Sequence, residues 1–362
     1  MPGYQLIPGH YAVRARFGPP GRTGHNEAFG RAAEPDQRAG ERYVTSADAT
    51  PVRPCAPSVA APVTPLIAEL TARAAASTRG FAATPVVLAD RPDATVVRVG
   101  KAVAKAHAPG TDRAALSARL AVAAHPRLRG ILLPPYAPTA PGANGRPITV
   151  WPYGQPVDPA DPPAAPWQAA AVLLARLHAV PPADLPGPLP PMRGPAKAAR
   201  AMARLRAAPD SPAARTIRRA WHHLPAWSRA DAPYDGRPFL CHGDFHLGQL
   251  VQLPPTGNWL LIDVDDLGLG DPAWDLARPA MWFAAGLLAP EIWADFLSAY
   301  REAGGRAVSA AGDPWAQLDV PARTLALQCA AIGVTKAARE MRELDEAESE
   351  LLATCARIAQ LK

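Results

Sequence analysis

Read for its apolar and polar positions, the chain falls into three stretches of different character. Over residues 1–61 no period of 2 or 3.6 is sustained, and Pro, Gly, Arg and Ala dominate without an apolar run able to offset the entropy of ordering. This stretch is expected to be a disordered extension. At Thr64 the pattern turns helical: Thr64-Pro65 offers an N-cap and a first-turn proline to Leu66, Ile67 and Leu70, in a helix predicted to end near Gly80. Three short β-rich runs follow at 85–88, 95–99 and 102–106, the last two joined across Gly100-Lys101, which predicts a small antiparallel sheet. Thr111 is read as the cap of an Ala/Leu helix reaching about Ala124. One more strand is predicted at 147–151, before the turn Pro152-Tyr153-Gly154.

The third stretch is helical, with apolar 3.6-residue periods predicted at 166–180, 196–208, 212–224, 272–285, 290–303, 321–340 and 344–361. A strand at 238–241, a loop at 242–248, and strands at 249–253 and 259–262 about the turn 254–258 interrupt it. The expected organisation is an extension at 1–61, a first lobe at 62–152 and a helical second lobe at 153–362. The fold class is α+β, with a small antiparallel-sheet N-lobe and a mainly helical C-lobe.

Composition narrows the function classes. Although 48% of the residues are hydrophobic, none of the apolar runs reaches the roughly eighteen residues a membrane span needs; the one beginning at Met281 stops at Pro290 and Glu291. No membrane association is expected. The first sixteen residues lack a basic stretch followed by an apolar block, which points to the cytoplasm. Cys55, Cys241, Cys329 and Cys355 lie far apart with no C-x-x-C pair, against both a zinc knuckle and a disulfide framework. The formal charge of +6 is scattered rather than gathered beside aromatics, so nucleic acid is not an expected partner. Arginine dominates the basic residues, and the only lysines are Lys101, Lys105, Lys197, Lys336 and Lys362, so a lysine inside a strand pattern carries information.

The chemistry-bearing string runs from Cys241-His242-Gly243-Asp244-Phe245-His246-Leu247-Gly248-Gln249, through Leu261-Ile262-Asp263-Val264-Asp265-Asp266, to Gly270-Asp271-Pro272-Ala273-Trp274-Asp275. It resembles the aminoglycoside phosphotransferase and choline kinase group of small-molecule kinases, whose catalytic loop reads H-G-D-x-x-x-x-N and whose metal loop reads I-D-x-x. The H-x-G-Q form of the loop resembles that of bacterial maltokinases. The resemblance implies a bilobal protein-kinase-like fold whose first lobe binds nucleotide. It also implies an ATP- and Mg²⁺-dependent transfer of the γ-phosphate to a hydroxyl of a small acceptor: a sugar, amino sugar, aminoglycoside or amino alcohol.

Phosphoryl transfer asks a protein to hold a hydroxyl, a γ-phosphate and Mg²⁺ in line and to neutralise the spreading charge. Asp244, after a glycine on a loop leaving a strand, is the expected base. Gln249 and Asp263 offer the carboxamide and carboxylate oxygens that Mg²⁺ accepts. By resemblance Lys105 grips the ATP phosphates, Trp151 and Tyr153 lie at the hinge against the adenine, and His242 braces the catalytic loop. Asp271 and Asp275 are read as structural supports, the first as a helix cap and the second bonding back to that loop. His246, Asp265 and Asp266 are candidates for contact with substrate or metal, with solvated acidic turn residues an equal reading of the two aspartates.

The chain departs from the family pattern in three places. Gln249 stands where the family has Asn. The helix after the Lys105 strand has no glutamate to pair with it, for which Glu69 is a candidate substitute. No glycine-rich loop appears over 88–95. A catalytically silent pseudokinase that binds nucleotide or a partner is therefore the rival reading. A zinc site on His242 and His246 is disfavoured because Gly243 and Gly248 oppose the helix that H-E-x-x-H requires.

Overall fold

Alternation sets the first sheet. In β2 (Thr95–Val99) and β3 (Ala102–Ala106) every second residue is fully buried. Val97, Val99, Ala102, Ala104 and Ala106 join Ile148 and face α1 (Pro65–Ala76), which contributes Ile67, Leu70 and Ala74 to a small core. The computed structural model describes residues 64–78, 83–137, 139–142, 144–158 and 164–361, so the expected extension at 1–61 lies outside the described residues. With β1 (Val86–Asp90), β4 (Ala140–Pro141) and β5 (Pro147–Pro152) these strands form an antiparallel sheet in the order β1-β2-β3-β5-β4. In its register Lys105 lies between Val96 and Thr149, and Val103 beside Trp151. Those residues therefore share the face opposite α1.

The cap of α2 (Arg113–Ala123) is Asp112 rather than the expected Thr111. Its carboxylate accepts from the N–H groups of Ala114 and Ala115 at 2.9 and 3.1 Å, where the helix dipole favours an anion, while the Thr111 hydroxyl donates to the Ala108 carbonyl.

Beyond β5 the strand β6 (Gln155–Pro156) pairs with β8 (Leu250–Leu253), which pairs with β9 (Asn258–Leu261); β7 (Phe239–Cys241) pairs with β10 (Gly268–Gly270). Strands of two or three residues are too short to show a period, so β4, β6 and β10 leave no sequence signal. The helices are α3 (Trp167–Ala179), α4 (Gly194–Ala207), α5 (Pro212–Trp221), α6 (Ala273–Ala284), α7 (Pro290–Glu302), α8 (Trp315–Glu340) and α9 (Glu346–Ile358).

α8 begins six residues before Pro321, the residue expected to open it. A proline at the seventh position of a helix removes one N–H donor, and the burial of Leu318, Leu325 and Leu327 outweighs that loss as α8 packs on α4, α5, α6 and α9. No helix among the described residues is long and apolar enough to cross a membrane. The two-lobed α+β arrangement is the expected fold class.

Candidate active site

The loop that carries Asp244 is held by one buried carboxylate. Asp275, in the first turn of α6, accepts from the backbone N–H of His242 at 2.6 Å and of Gly243 at 2.8 Å. Its Oδ2 also meets His178 Nε2 at 3.0 Å, and His178 Nδ1 meets the Tyr300 hydroxyl at 2.8 Å, all in the interior. The His242 ring reaches the Ile262 carbonyl at 2.8 Å and so ties this loop to the next. At the other end of the turn Asp271 accepts from the Ala273 N–H. His178 and Tyr300 were not anticipated; the available signal was a histidine on the buried stripe of α3 beside Leu174 and Leu177.

Gly243 has φ +83°, and a Cβ there would lie 2.3 Å from the Asp266 carbonyl oxygen. Only glycine lets the two acidic loops approach this closely.

Asp244 is engaged on both oxygens. Lys197 Nζ on α4 lies 2.6 Å from Oδ2, and Arg278 Nη2 on α6 lies 3.1 Å from Oδ1, while Arg278 Nε donates to the Phe245 carbonyl. Burial alone would raise the Asp244 pKa; the two cations overcome it and hold the carboxyl at about 2. Lys197 also bonds Asp266 Oδ2 at 2.7 Å, and Arg193 Nε stands 3.5 Å from Asp266 Oδ1. Burial opposes the charge on Lys197, yet Asp266 and Asp244 together raise its pKa above the ordinary lysine value. None of Lys197, Arg193 or Arg278 was assigned a role from sequence, although Lys197 is one of only five lysines.

Past β9 the Ile262 N–H donates to the Gln249 carbonyl at 2.9 Å, which seats Gln249 beside the start of the second acidic loop. Asp263 then takes a left-handed conformation, φ 64° and ψ 80°, and its carboxylate accepts from the Asp265 N–H. Lys105 Nζ bridges the pair, 2.8 Å from Asp263 and 3.0 Å from Asp265. These two aspartates are the partners that the absent helix glutamate would have supplied; Glu69 instead pairs with Arg73 at 2.8 Å.

His107 Nδ1 lies 3.0 Å from Asp265 Oδ1, and its Nε2 meets Thr149 Oγ1, which also accepts from the Trp151 indole N–H. Burial works against the charge of Asp265, but Lys105 and His107 hold its carboxyl well below the usual carboxylate range. The β1–β2 connection is the tight turn 91–94, closed by the Arg91 N–H on the Ala94 carbonyl and without glycine.

The donor set suits a hard cation. Asp263 and Asp265 already converge on one ammonium and offer only oxygen. The cluster of His178, Cys241 and Asp275 is a different case. Burial pushes the Cys241 thiol far up, and Asp275 is committed to backbone N–H groups, so this group is a brace. His246 Nδ1 accepts from the Gly248 N–H, and burial, reinforced by Arg278, pushes the ring down to about 3.

The aromatic expectations divide. Tyr153 is half-buried with the Arg98 guanidinium 3.5 Å over its ring, whereas Trp151 is buried against the large core. Trp274 and Trp293 are core residues, and Trp282 packs edge-on against Trp167.

A sequence profile described as "Phosphotransferase enzyme family" matches residues 86–317. No curated protein sequence matches the chain. Among solved structures, it is similar to a choline/ethanolamine kinase family protein from Mesorhizobium loti, with a TM-score of 0.54 and 16% identity over 81% of this chain and 95% of that one. It is likewise similar to choline kinase LicA from Streptococcus pneumoniae, with a TM-score of 0.54 and 14% identity over 81% and 98%. A thermostable aminoglycoside phosphotransferase APH(4)-Ia in ternary complex with AMP-PNP and hygromycin B gives a TM-score of 0.52 and 14% identity over 80% and 98%. At such identities these structures establish the kinase-like fold. The matched profile runs from the first strand of the sheet through both acidic loops into α8, and on that span the chain belongs to the phosphotransferase enzyme family.

Proposed function

We propose that the protein transfers the γ-phosphate of ATP to a hydroxyl of a small molecule, with Asp244 as the base. The observation that carries this reading is the apposition of an ionised, doubly hydrogen-bonded Asp244 with a second acidic loop, pressed together at Gly243 and Asp266. Asp244 would accept the acceptor's proton and orient its oxygen. Lys105, released from the aspartates, would hold the nucleotide phosphates, and Tyr153 would lie toward the base. Asp263 and Gln249, with Asp265 beside them, would hold Mg²⁺, which when bound neutralises charge on the phosphate oxygens. Asp275, His178 and His242 keep the loop in place and take no part in proton transfer.

A silent nucleotide-binding protein was favoured by the missing helix glutamate. That argument weakens because Asp263 and Asp265 give Lys105 two partners.

The test is Mg²⁺-dependent transfer of labelled γ-phosphate from ATP to a mixed panel of hydroxylated acceptors. Asp244→Ala is expected to lower kcat by roughly 10²–10⁴ while MgATP binding, read by calorimetry, survives. A native protein that does not bind MgATP would overturn the reading.

A further inference from the structure

Any acceptor hydroxyl that reaches Asp244 must enter between two cations, because Lys197 and Arg278 already occupy its two oxygens. The surroundings extend that bias. Arg193, Lys197, Arg200 and Arg204 are spaced by four, three and four residues along α4, which places them on one stripe of the helix. The buried face of α4, formed by Ala198, Ala201, Met202 and Leu205, lies about a quarter-turn or more away and packs on α8. The stripe therefore borders the base through Lys197 and stays accessible, with Arg193 40% and Lys197 25% exposed.

The carboxylates that could have offset this charge are already used. Asp266 is held by Lys197 and Arg193, and Asp265 by Lys105 and His107; Glu291 and Asp295 lie exposed on α7. Among the described residues Arg200 forms no ion pair. Its partial burial, with Arg193 and Arg204 nearby, lowers its pKa, and the field of Asp266 acts the other way without offsetting them.

We propose that the acceptor is an anionic hydroxylated molecule, one bearing a carboxylate or a phosphate, and that the Arg193–Lys197–Arg200 stripe of α4 receives its negative group while a hydroxyl meets Asp244. This deepens the phosphotransferase reading and rests on it. A polycation such as an amino-rich glycoside would carry its charge into a region already positive around the base, and a quaternary ammonium alcohol would meet the same opposition. Arg200 is a specificity residue in this account, since its guanidinium is free to pair with the ligand.

The experiment compares acceptors matched in shape and differing in charge: glucose, glucuronate, glucose 6-phosphate and glucosamine, together with glycerol, glycerate, glycerol 3-phosphate and choline. Transfer from MgATP is measured for each, and shifts in melting temperature are recorded with MgAMP-PNP present. The expected result is that the anionic members of a series exceed the neutral one in kcat/KM by roughly tenfold or more and the cationic one falls below it. Carboxylate and phosphate arms identify which anion is preferred.

Arg200→Ala should lower kcat/KM for the anionic member by roughly tenfold and leave the neutral one and the KM for ATP within about twofold. Arg200→Glu should reverse the order of anion and cation. A native preference for glucosamine or choline, or equal loss for all acceptors in Arg200→Ala, overturns the proposal. So does MgATP binding without transfer to any anionic member and without an Arg200-dependent shift in melting temperature; transfer to a neutral or cationic member that is lost in Asp244→Ala keeps the kinase reading standing in that case.

Discussion

Lys105 Nζ and Asp263 Oδ1 meet at 2.8 Å across 158 positions of sequence, joining the middle strand of the first sheet to the second acidic loop. The same ammonium reaches Asp265 at 3.0 Å, and the two carboxylates raise its pKa although burial opposes the charge. A cation thus already sits between the carboxylates proposed for Mg²⁺.

Mg²⁺ and Lys105 should therefore compete for the same oxygens. In Lys105→Ala the carboxylates lose their counter-charge and repel each other, so the melting temperature of the free protein is expected to fall. Millimolar Mg²⁺ should restore more of it in the variant than it adds to the native protein. The variant should also lose roughly tenfold or more in kcat/KM for ATP if Lys105 holds the phosphates as proposed. Equal Mg²⁺ effects on both proteins would count against Asp263 and Asp265 as ligands.

A second expectation concerns pH. The folded pKa of Asp244, about 2, lies below the ordinary carboxyl value of 3.8 because Lys197 and Arg278 favour the charged form over the opposition of burial. Its contribution to stability is therefore fully present above pH 3.8 and lost as pH falls through 2. For activity, Asp244 stays ionised across the neutral range, and it should give kcat no acid limb above about pH 4. Removing one cation in Lys197→Met should move that limb upward by about a unit or more. Identical titrations of the Asp244 carboxyl in the two proteins, followed by carboxyl NMR from about pH 1.5 to about pH 6, would show that Lys197 does not set the ionisation of Asp244.

The elements most legible in the sequence are those with a repeated signal. The alternation in β2 and β3 gave the sheet, the apolar stripes gave the long helices, and the string from His242 to Asp275 marked the two acidic loops. What stayed hidden depends on tertiary approach. Lys197 and Arg278 come from helices 47 and 34 residues away from Asp244, and no local pattern tells a basic residue that ends on a carboxylate from one that ends in water. The family pattern sets the partner of Lys105 on a helix. The fold supplies it from the aspartates of the second acidic loop.

The closeness of the two acidic loops gives a third expectation. At Gly243 a side chain would meet the backbone of Asp266 at 2.3 Å and would also need the unfavourable φ of +83°. Gly243→Ala should lower stability by about 1–3 kcal/mol. It should lower kcat more than the KM for ATP, since the displaced groups are Asp244 and Asp266 rather than Lys105. Denaturant unfolding and steady-state kinetics on the one variant test both halves. A kcat within about threefold of native would mean that the loops can separate without losing the reactive arrangement.

Asp271 gives the last expectation, and its sign is opposite to that of Asp244. Burial raises its pKa to about 6, only partly relieved by the bond it accepts from the Ala273 N–H at 2.9 Å. Because the folded state favours the protonated form, this group's stabilising contribution is complete below pH 3.8 and is lost as pH rises through 6. At neutral pH its charge is a burden on the fold, borne beside Cys241 and Tyr234, whose pKa values its field helps to raise. Asn is neutral and keeps an oxygen for the Ala273 N–H. Asp271→Asn should then stabilise the protein at pH 8 by about 1–3 kcal/mol and converge with the native protein near pH 4. Asp271→Ala, which also loses the cap, should gain less at pH 8 and fall below native at pH 4. Urea unfolding of the three proteins at the two pH values separates these effects. A loss at pH 8 in Asp271→Asn would mean that the ionised carboxylate is worth more to the α6 N-terminus than its burial costs.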